Sequence, residues 1–337
     1  RTSQALIPAD RTARMINSPM IVRNCLLIML HIIRNVPLID NLNTGNDIIF
    51  LSHQSPKRNN LMNELPETHT LARQIQSEVI GHTITRVTAA HSPHKFAWYH
   101  GDPGDYPGRL MDNTILSAQA YGMMVEITLS SATLLFSDGI KLRLHPDAGS
   151  IPKKHQLLLN LNDGRSLSAS LAMYGGLFCW ENGSEFDNPY YEIARKKPDP
   201  LTQAFNQNYF QGLIAPEEVQ KLSLKAVLAT EQRIPGLGNG TLQDILWQAE
   251  MHPRRKLNTL SEDELETLFS SVKDTLAEMT RLGGRSTEKD LYGKAGGYKV
   301  VMCAANKGQP CPRCGAEILK TSYMGGSVYT CPTCQPL

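Results

Sequence analysis

Four cysteines near the end of the chain have the types and the spacing that bind a metal ion. They form two C-x-x-C pairs, Cys311 with Cys314 and Cys331 with Cys334, with sixteen residues between the pairs. Two cysteines three positions apart can reach one tetrahedral ion from a tight turn, and a second turn completes a four-thiolate shell. Because such a shell has no open position, we predict one structural Zn²⁺ ion. Two disulfides or a redox-active C-x-x-C motif are the alternatives, but the sequence lacks the context of a secreted scaffold or a thioredoxin-like fold.

The segment between the two cysteine pairs has the pattern of a β-hairpin. Tyr323 and Val328–Tyr329 would lie on its arms, with residues 324–327 at its tip. The whole chain has a formal net charge of only +2, but residues 281–337 carry eight Lys and Arg against three Asp and Glu. A local excess of positive charge is typical of a surface that contacts nucleic acid.

A glycine-rich turn, residues 233–240, lies between two helical patterns, Glu217–Ala229 and Thr241–Glu250. Its glycines let the backbone approach a neighbouring group closely, and Asn239 is placed to cap the following helix. A helix N-terminus with free N–H groups can bind an anion such as a DNA phosphate. The alternative is a plain connection between two helices, which this turn alone does not exclude.

Alternating apolar residues predict strands in the first half of the chain. We predict a helix at Glu67–Ile80, followed by strands at residues 83–87, 123–129, 133–136, 140–144, 156–161 and 166–171. The turn at 162–165 joins the last two strands. The periodicity becomes helical from Leu201 to Leu282, for example after the acidic start Ser261–Glu264. A β-sandwich or barrel carrying one helix, followed by a helical unit, is the architecture that this order favours.

The first 61 residues fit neither unit. The chain begins with Arg1, and its longest apolar run, Cys25–Ile33, is too short to span a bilayer. Met62 opens the organised part of the sequence. We interpret residues 1–61 as an extension, either translated upstream sequence or a disordered segment; an anchor is the alternative, but we expect no membrane association.

Histidines and aromatic residues are concentrated at residues 91–100. With His91, His94 and His100 beside Trp98 and Tyr99, this segment could form a base-stacking or metal site. We favour the simpler interpretation of a polar loop with aromatic residues packed beneath it.

Three motifs occur in a fixed order along residues 62–335. The first is Met62-Asn63-Glu64-Leu65-Pro66-Glu67, the second combines Leu224-Lys225, Pro235-Gly236-Leu237-Gly238-Asn239 and His252-Pro253, and the third is the cysteine hairpin preceded by Gly308-Gln309-Pro310. Together they resemble the motifs of the formamidopyrimidine-DNA glycosylase and endonuclease VIII family of base-excision repair.

The resemblance implies an α+β fold of several domains. These are an N-terminal β-sandwich with one long helix at residues 62–182, a linker at 183–200, a helix–two-turn–helix DNA-binding domain at 201–292, and a β-hairpin zinc finger at 293–337. It also implies a DNA cleft in which the damaged nucleotide is flipped out of the stack.

The chemistry implied by the resemblance uses the free amine of an N-terminal proline. This amine attacks the sugar C1′, expels the base and forms an imine, after which elimination nicks the strand. Glu64 matches the adjacent glutamate that manages the proton. Asn63 holds the nucleophile position, so the attacking amine would belong to Asn63 or Met62. The expected DNA contacts are Glu67, Lys154, His155, Tyr174 as an aromatic wedge, Lys225, Gly238 and Asn239.

Four positions depart from the family pattern. Asn63 replaces the proline, and Tyr121 stands nearest to where a lysine is expected. Residues 170–175 replace an arginine-containing loop that fills the void left by the flipped base, and Gly326 replaces an arginine of the zinc hairpin. The departures fall on the catalytic and void-filling positions, whereas the residues suited to phosphate contacts are retained.

We therefore expect a base-excision repair protein of the DNA glycosylase and AP lyase type. It would bind double-stranded DNA with a damaged or abasic site, as a monomer in the cytoplasm and associated with the nucleoid. Whether it cuts through a terminal-amine Schiff base stays open, and a non-catalytic lesion-binding homologue is the alternative. A zinc-ribbon module that binds a protein is a third hypothesis, which a weak dependence of binding on salt would favour.

Overall fold

The computed structural model describes residues 62–171 and 173–337. Within these residues no helix is long and apolar enough to cross a membrane. The extension predicted at residues 1–61, with its apolar run, lies outside the described residues.

The first helix, α1, spans Leu65–Glu78, two residues earlier at each end than predicted. It begins there because Pro66 fits the first turn of a helix, where no N–H donor is needed. The Glu67 carboxylate also accepts a hydrogen bond from the backbone N–H of Glu64, at 2.9 Å, and so closes the N-terminus. Leu71 and Ile75 on its inner face are buried in the core of the first domain.

Nine strands form two sheets that share one core with α1. The strands are β1 Ile84–Ala89, β2 Ala97–Tyr99, β3 Ile115–Tyr121, β4 Met124–Leu129, β5 Ala132–Phe136, β6 Ile140–His145, β7 Leu157–Leu161, β8 Ser166–Leu171 and β9 Gly175–Glu181, with a short helix α2 at Tyr106–Leu110. One sheet has the order β1-β7-β8-β6 and the other β2-β9-β5-β4-β3. This arrangement confirms the predicted β-sandwich.

Three strands were absent from the sequence prediction: β2, β3 and β9. Strand β3 mixes small and polar residues with its apolar ones, so its alternation is weak, although Ile115 and Ala118 are buried. Strand β9 begins at Gly175, inside the segment that was predicted as a loop, and it pairs antiparallel with β5 and parallel with the three residues of β2. Residues 170 and 171 therefore end β8 in one sheet, and Gly175 begins β9 in the other.

The stretch predicted as a linker, residues 183–200, contains a helix, α3, at Pro189–Lys196. The Asn188 side chain accepts hydrogen bonds from two backbone N–H groups of the first turn, each at 3.1 Å, which starts the helix. Tyr191 and Ala194 are buried against the outer face of the second sheet, beside Trp180. A short helix with one apolar turn gives too little periodicity to be recognised in a polar stretch.

The helical domain contains five helices around a second core. They are α4 Gln207–Ile214, α5 Glu217–Gln220, α6 Leu224–Ala229, α7 Asn239–Gln248 and α8 Glu262–Arg281. The single pattern predicted at Glu217–Ala229 is divided because Ser223 caps a new helix, accepting a hydrogen bond from the N–H of Ala226. Helix α8 begins as predicted, with Ser261 and Glu264 forming a capping box.

The zinc hairpin consists of β10, Leu319–Tyr323, and β11, Gly326–Thr330, which pair antiparallel as predicted. Met324 and Gly325 form its tip, and both have positive φ angles, 50° and 72°, as a tight two-residue turn requires. The hairpin shares a third, smaller core with Trp247 of α7. It is thereby packed onto the helix that follows the glycine-rich turn.

Candidate functional site

The four cysteines of the two pairs converge on one point. Their sulfur atoms all lie within 4.8 Å of one another, with 3.9 Å between Cys311 and Cys334 and 3.3 Å between Cys314 and Cys331. A disulfide needs sulfurs about 2.05 Å apart, whereas four sulfurs around a tetrahedral zinc at about 2.3 Å stand roughly 3.8 Å apart. The donor set and spacing fit one structural Zn²⁺ ion and exclude the two disulfides.

The zinc hairpin is held against α7 by polar contacts as well as by its core. The Gln243 side chain accepts a hydrogen bond from the N–H of Tyr329 at 2.6 Å. The Gln335 amide donates to the carbonyl of Met251 at 2.9 Å, and the Arg313 guanidinium covers the Trp247 ring. Metal binding therefore orders a segment that is attached to the helical domain on both sides.

The N-terminus of α7 is closed by a carboxylate of the chain itself. Glu64 is buried, and its carboxylate accepts hydrogen bonds from the backbone N–H groups of Gly238, Gly240 and Thr241 at 3.1, 2.8 and 2.8 Å. The Thr241 hydroxyl donates a fourth, at 2.7 Å. The anion that this helix terminus holds is thus Glu64, and not a DNA phosphate as predicted. The prediction that Asn239 caps the helix is also wrong, because Gly238 is the N-cap and Asn239 is the first helical residue.

The glycines of the turn allow this close approach of α1 to α7. Gly236 has a φ of 89°, and a Cβ added to it would lie 2.7 Å from the Cβ of Leu65. A Cβ on Gly238 would lie 2.6 Å from the Glu64 carboxyl carbon. The turn therefore serves contact between two parts of the chain, which makes Gly238 a packing residue in this structure.

Arg285 bridges the two buried glutamates. Its guanidinium lies 3.3 Å from Glu64 and 2.7 Å from Glu67, and its backbone N–H donates to Glu67 at 2.8 Å. Burial alone lowers the pKa of Arg285, but the two carboxylates outweigh burial and raise it above its ordinary value. Both Glu67 oxygens are engaged inside the protein, which gives Glu67 a structural role, and its DNA contact stays a prediction.

Sequence reasoning missed Arg285. It lies 218 positions after Glu67, next to the pair Gly283-Gly284, and no local pattern marks it. The sequence indicated such a residue only indirectly. Two glutamates at the buried start of a helix need a buried cation to neutralise them.

Two further acids surround Met62 and Asn63. Burial raises the pKa of Asp138 to about 6, and burial with repulsion from Glu67 and Glu64 raises the pKa of Glu288, beside the Met62 backbone, to about 8. The backbone N–H of Asn63 donates to the Asp138 carbonyl at 3.0 Å, and its side-chain amide donates to the Ile140 carbonyl at 2.8 Å. Asn63 is thus fixed by hydrogen bonds, and its nitrogen is a peptide nitrogen in this chain.

The remaining predicted residues lie in two places, one beside the first motif and one on the loop before β7. Tyr174 lies beside the first motif, its hydroxyl 3.6 Å from the Met62 sulfur. Lys154 is exposed and next to His155, which is buried and stacks on His91 with ring centroids 4.5 Å apart. Tyr121, nearest to the missing lysine, packs instead against Tyr191 and Arg195 of α3.

Lys225 and Asn239 meet at the tip of the zinc hairpin. The Lys225 ammonium donates to the Tyr323 carbonyl at 2.9 Å, and the Asn239 amide donates to the Ser327 carbonyl at 3.1 Å. Lys225 is only 5% exposed, and burial lowers its pKa. A Cβ on Gly326 would lie 3.1 Å from the Lys225 nitrogen, so the missing arginine position faces this pair directly.

We predict that each chain carries one zinc ion and that a chelator releases it together with the hairpin, because the metal and the hairpin fold are coupled. Metal analysis of Cys331→Ser should return a small fraction of the wild-type zinc. Cys303→Ser, which changes a cysteine outside the cluster, should return the full amount. Well under one equivalent of zinc in carefully handled wild-type protein would contradict the prediction.

We predict that Arg285→Met destabilises the fold by about 3–5 kcal/mol, because it leaves two buried carboxylates without a cation. Urea unfolding followed by circular dichroism measures this loss. The matched control is Arg281→Met, which breaks the exposed pair with Glu278 and should leave the free energy of unfolding close to that of the wild type. Equal effects of the two substitutions would show that Arg285 does not hold the first motif.

Comparison with known proteins places this geometry in a family. Family models for the formamidopyrimidine-DNA glycosylase N-terminal domain, its H2TH domain and the zinc finger found in FPG and IleRS match residues 62–205, 197–290 and 308–337. The formamidopyrimidine-DNA glycosylase of Lactobacillus delbrueckii subsp. bulgaricus is 28% identical over 285 residues, covering 81% of this chain and 99% of that protein. The enzyme of Bacillus cereus is 26% identical over 284 residues, covering 82% and 99%.

Solved structures agree with these relatives. The MutM (Fpg) protein of Thermus thermophilus matches with a TM-score of 0.66 and 26% identity, over 81% of this chain and 98% of its own. The Lactococcus lactis Fpg, solved in complex with DNA containing an abasic site, shares the fold with a TM-score of 0.69 and 23% identity, over 82% and 100%. The family models, the relatives and the fold agree, and the chain belongs to the formamidopyrimidine-DNA glycosylase family.

Proposed function

We propose that this protein is a base-excision repair protein that binds duplex DNA at damaged or abasic sites, as a monomer in the cytoplasm and at the nucleoid. The observation that carries the proposal is the meeting of Lys225 and Asn239 at the zinc hairpin tip. Two separate motifs of the family, the second and the third, contribute to that one point. The related fold of the Lactococcus lactis protein, solved with abasic DNA, supports the same partner.

The chemistry of this point suits a phosphate. A lysine ammonium has three N–H donors, and the Tyr323 carbonyl takes one of them. The NH₂ group of Asn239 has two N–H donors and gives one of them to the Ser327 carbonyl, so the other can be donated to an anion. An anion beside Lys225 would also favour the charged form that burial disfavours.

Further cations continue along the hairpin. Arg254 is exposed, donates to the Ser322 carbonyl at 3.0 Å and lies over the Tyr323 ring. Lys320, on the same strand, is exposed as well. Several cations along one hairpin fit an extended DNA backbone better than a small isolated anion. We therefore assign the hairpin and α6 to backbone binding, which positions the protein without reading sequence.

Cleavage has weaker support than binding. The nucleophile of the family would correspond to the nitrogen of Asn63, which is a peptide nitrogen bonded to the Asp138 carbonyl. Glu64 is engaged by four hydrogen bonds from α7 and by Arg285, so it positions the first motif. We propose that lesion binding exceeds cutting, since an amine displaced by about 1 Å can already cost a hundredfold in rate.

We predict that Asn239→Ala weakens binding to abasic and intact duplex alike, because phosphate contacts carry no sequence or lesion information. The loss should be on the order of 1–3 kcal/mol, measured by fluorescence anisotropy at several salt concentrations. Asn208→Ala, an exposed asparagine on α4, is the control and should bind like the wild type. Unchanged affinity of a folded, zinc-loaded Asn239→Ala variant would leave the hairpin tip without a DNA role.

We predict that protein starting at Met62 binds abasic duplex tightly and is trapped on it by borohydride only weakly. An abasic nucleotide is easily extruded because it has no base to unstack, so binding does not need the lost catalytic groups. Mass spectrometry of trapped protein would locate any imine, with Glu64→Gln as the control. Efficient trapping on the nitrogen of Met62 or Asn63 would restore a working lyase.

A further inference from the structure

Two large aromatic side chains stand in solvent beside the first motif. Trp98 is 45% exposed and Phe96 is 36% exposed, so the interpretation of this segment as aromatics packed beneath a polar loop is wrong for both. The chain has three tryptophans, and the other two, Trp180 and Trp247, are buried. An exposed tryptophan lacks much of the stabilisation that burial of its ring would give the fold, so its exposure needs a reason.

The position of Trp98 is fixed by the sheet. Strand β2 pairs parallel with β9, with Trp98 opposite Gly176, and the backbone of Gly175 donates to the Phe96 carbonyl at 3.1 Å. The Trp98 ring centroid lies 5.9 Å from that of Tyr174. Tyr174 in turn touches Met62. The rings of Trp98 and Tyr174 therefore form an aromatic step beside Met62, at the edge of the residues that match the catalytic motif.

Positive and unsatisfied polar groups lie on the segment that precedes Trp98 and on the loop bonded to that segment. The Lys95 ammonium lies over the Phe96 ring, and Lys153 and Lys154 are exposed on the neighbouring loop. That loop is tied to the aromatic segment by hydrogen bonds of Ser92 with the backbone of His155 and the side-chain amide of Gln156. The Nε2 atom of buried His155 has no hydrogen-bond partner within the described residues.

Aromatic rings interleaved with cations are the means by which proteins hold unstacked bases. The rings stack on the bases, and the cations follow the phosphates. The loop before β9 lacks the arginines of the family pattern, so the void in the duplex needs another group to fill it. Tyr174 belongs to that loop, and the Trp98 ring lies next to it.

We propose that Trp98 is a lesion-recognition residue that stacks on the unpaired base opposite the abasic site. This inference rests on the proposed function, because it requires a lesion-containing duplex in the cleft. An abasic nucleotide is easily extruded but offers no base of its own, so the base that the protein can contact at the lesion is the one left behind on the opposite strand. Trp98 supplies the aromatic face for that base, and Tyr174 holds the ring in place.

The test uses full-length wild-type protein and the variants Trp98→Ala and Trp98→Phe. The matched control is Tyr190→Ala, which removes an exposed aromatic side chain from α3. Affinities are measured by anisotropy on three probes: intact duplex, duplex with one tetrahydrofuran abasic site, and the same abasic duplex without the opposite nucleotide. Because Trp98 is the exposed tryptophan, intrinsic fluorescence and the emission of 2-aminopurine opposite the lesion report the contact itself.

Trp98→Ala should weaken binding to the abasic duplex by roughly five- to a hundredfold, the range of one base–aromatic stack. Trp98→Phe should retain most of the affinity, and binding to intact duplex and to the probe lacking the opposite nucleotide should change less than about twofold. Binding of abasic duplex should quench the tryptophan emission of the wild-type protein, and the wild-type protein should quench the 2-aminopurine emission of the duplex. The Trp98→Ala variant should not quench the 2-aminopurine emission.

Equal weakening on all probes, or unchanged affinity with unquenched emission, would overturn the inference. These outcomes are separable from failure of the proposed function. The first case is that wild-type protein binds abasic duplex, that Asn239→Ala weakens this binding and that Trp98→Ala leaves it unchanged. Only the stacking role of Trp98 is then contradicted. If wild-type protein shows no binding to abasic duplex, both fall.

Discussion

Three buried charges, Glu64, Glu67 and Arg285, hold the parts of this molecule together. Glu64 closes the N-terminus of α7, Glu67 closes that of α1, and Arg285 neutralises both from the segment that leads to the zinc hairpin. Breaking such a cluster by removing one partner leaves an uncompensated charge in a dry interior, which is far costlier than losing a surface pair. The sandwich, the helical domain and the hairpin therefore keep one geometry, on which every contact at the candidate site depends.

The features that the sequence could predict are those with a local cause. The zinc hairpin, the β7–β8 hairpin and the capping box of α8 each follow from a few neighbouring residues, and the structure contains all three. Features that depend on distant residues were missed or misread. Arg285 pairs across 218 positions, and the α7 terminus seemed free for phosphate only because the approach of Glu64 cannot be seen locally. Trp98 looked like a core residue because exposure is decided by the sheet.

The departures from the family pattern acquire a physical meaning from these contacts. The backbone and side-chain N–H groups of Asn63 donate hydrogen bonds to carbonyls of β6 and of the turn before it. These bonds suit an internal residue better than a nucleophile. Gly326 leaves room at the hairpin tip for Lys225 and Asn239, where an arginine would stand. The residues that we propose for phosphate binding, Lys225 and Asn239, thus match the family pattern, while Asn63 replaces the proline at the nucleophile position. We infer that the protein is specialised for binding a lesion and not for cutting the DNA there.

The most direct test is a crystal structure of the full chain bound to duplex DNA with a tetrahydrofuran abasic site. The account predicts a backbone phosphate within hydrogen-bonding distance of the Lys225 ammonium and the Asn239 side chain at the hairpin tip. Glu64 should still accept the N–H groups of Gly240 and Thr241 in that complex. A phosphate bound at the α7 N-terminus with Glu64 displaced, or DNA held on another surface, would contradict it.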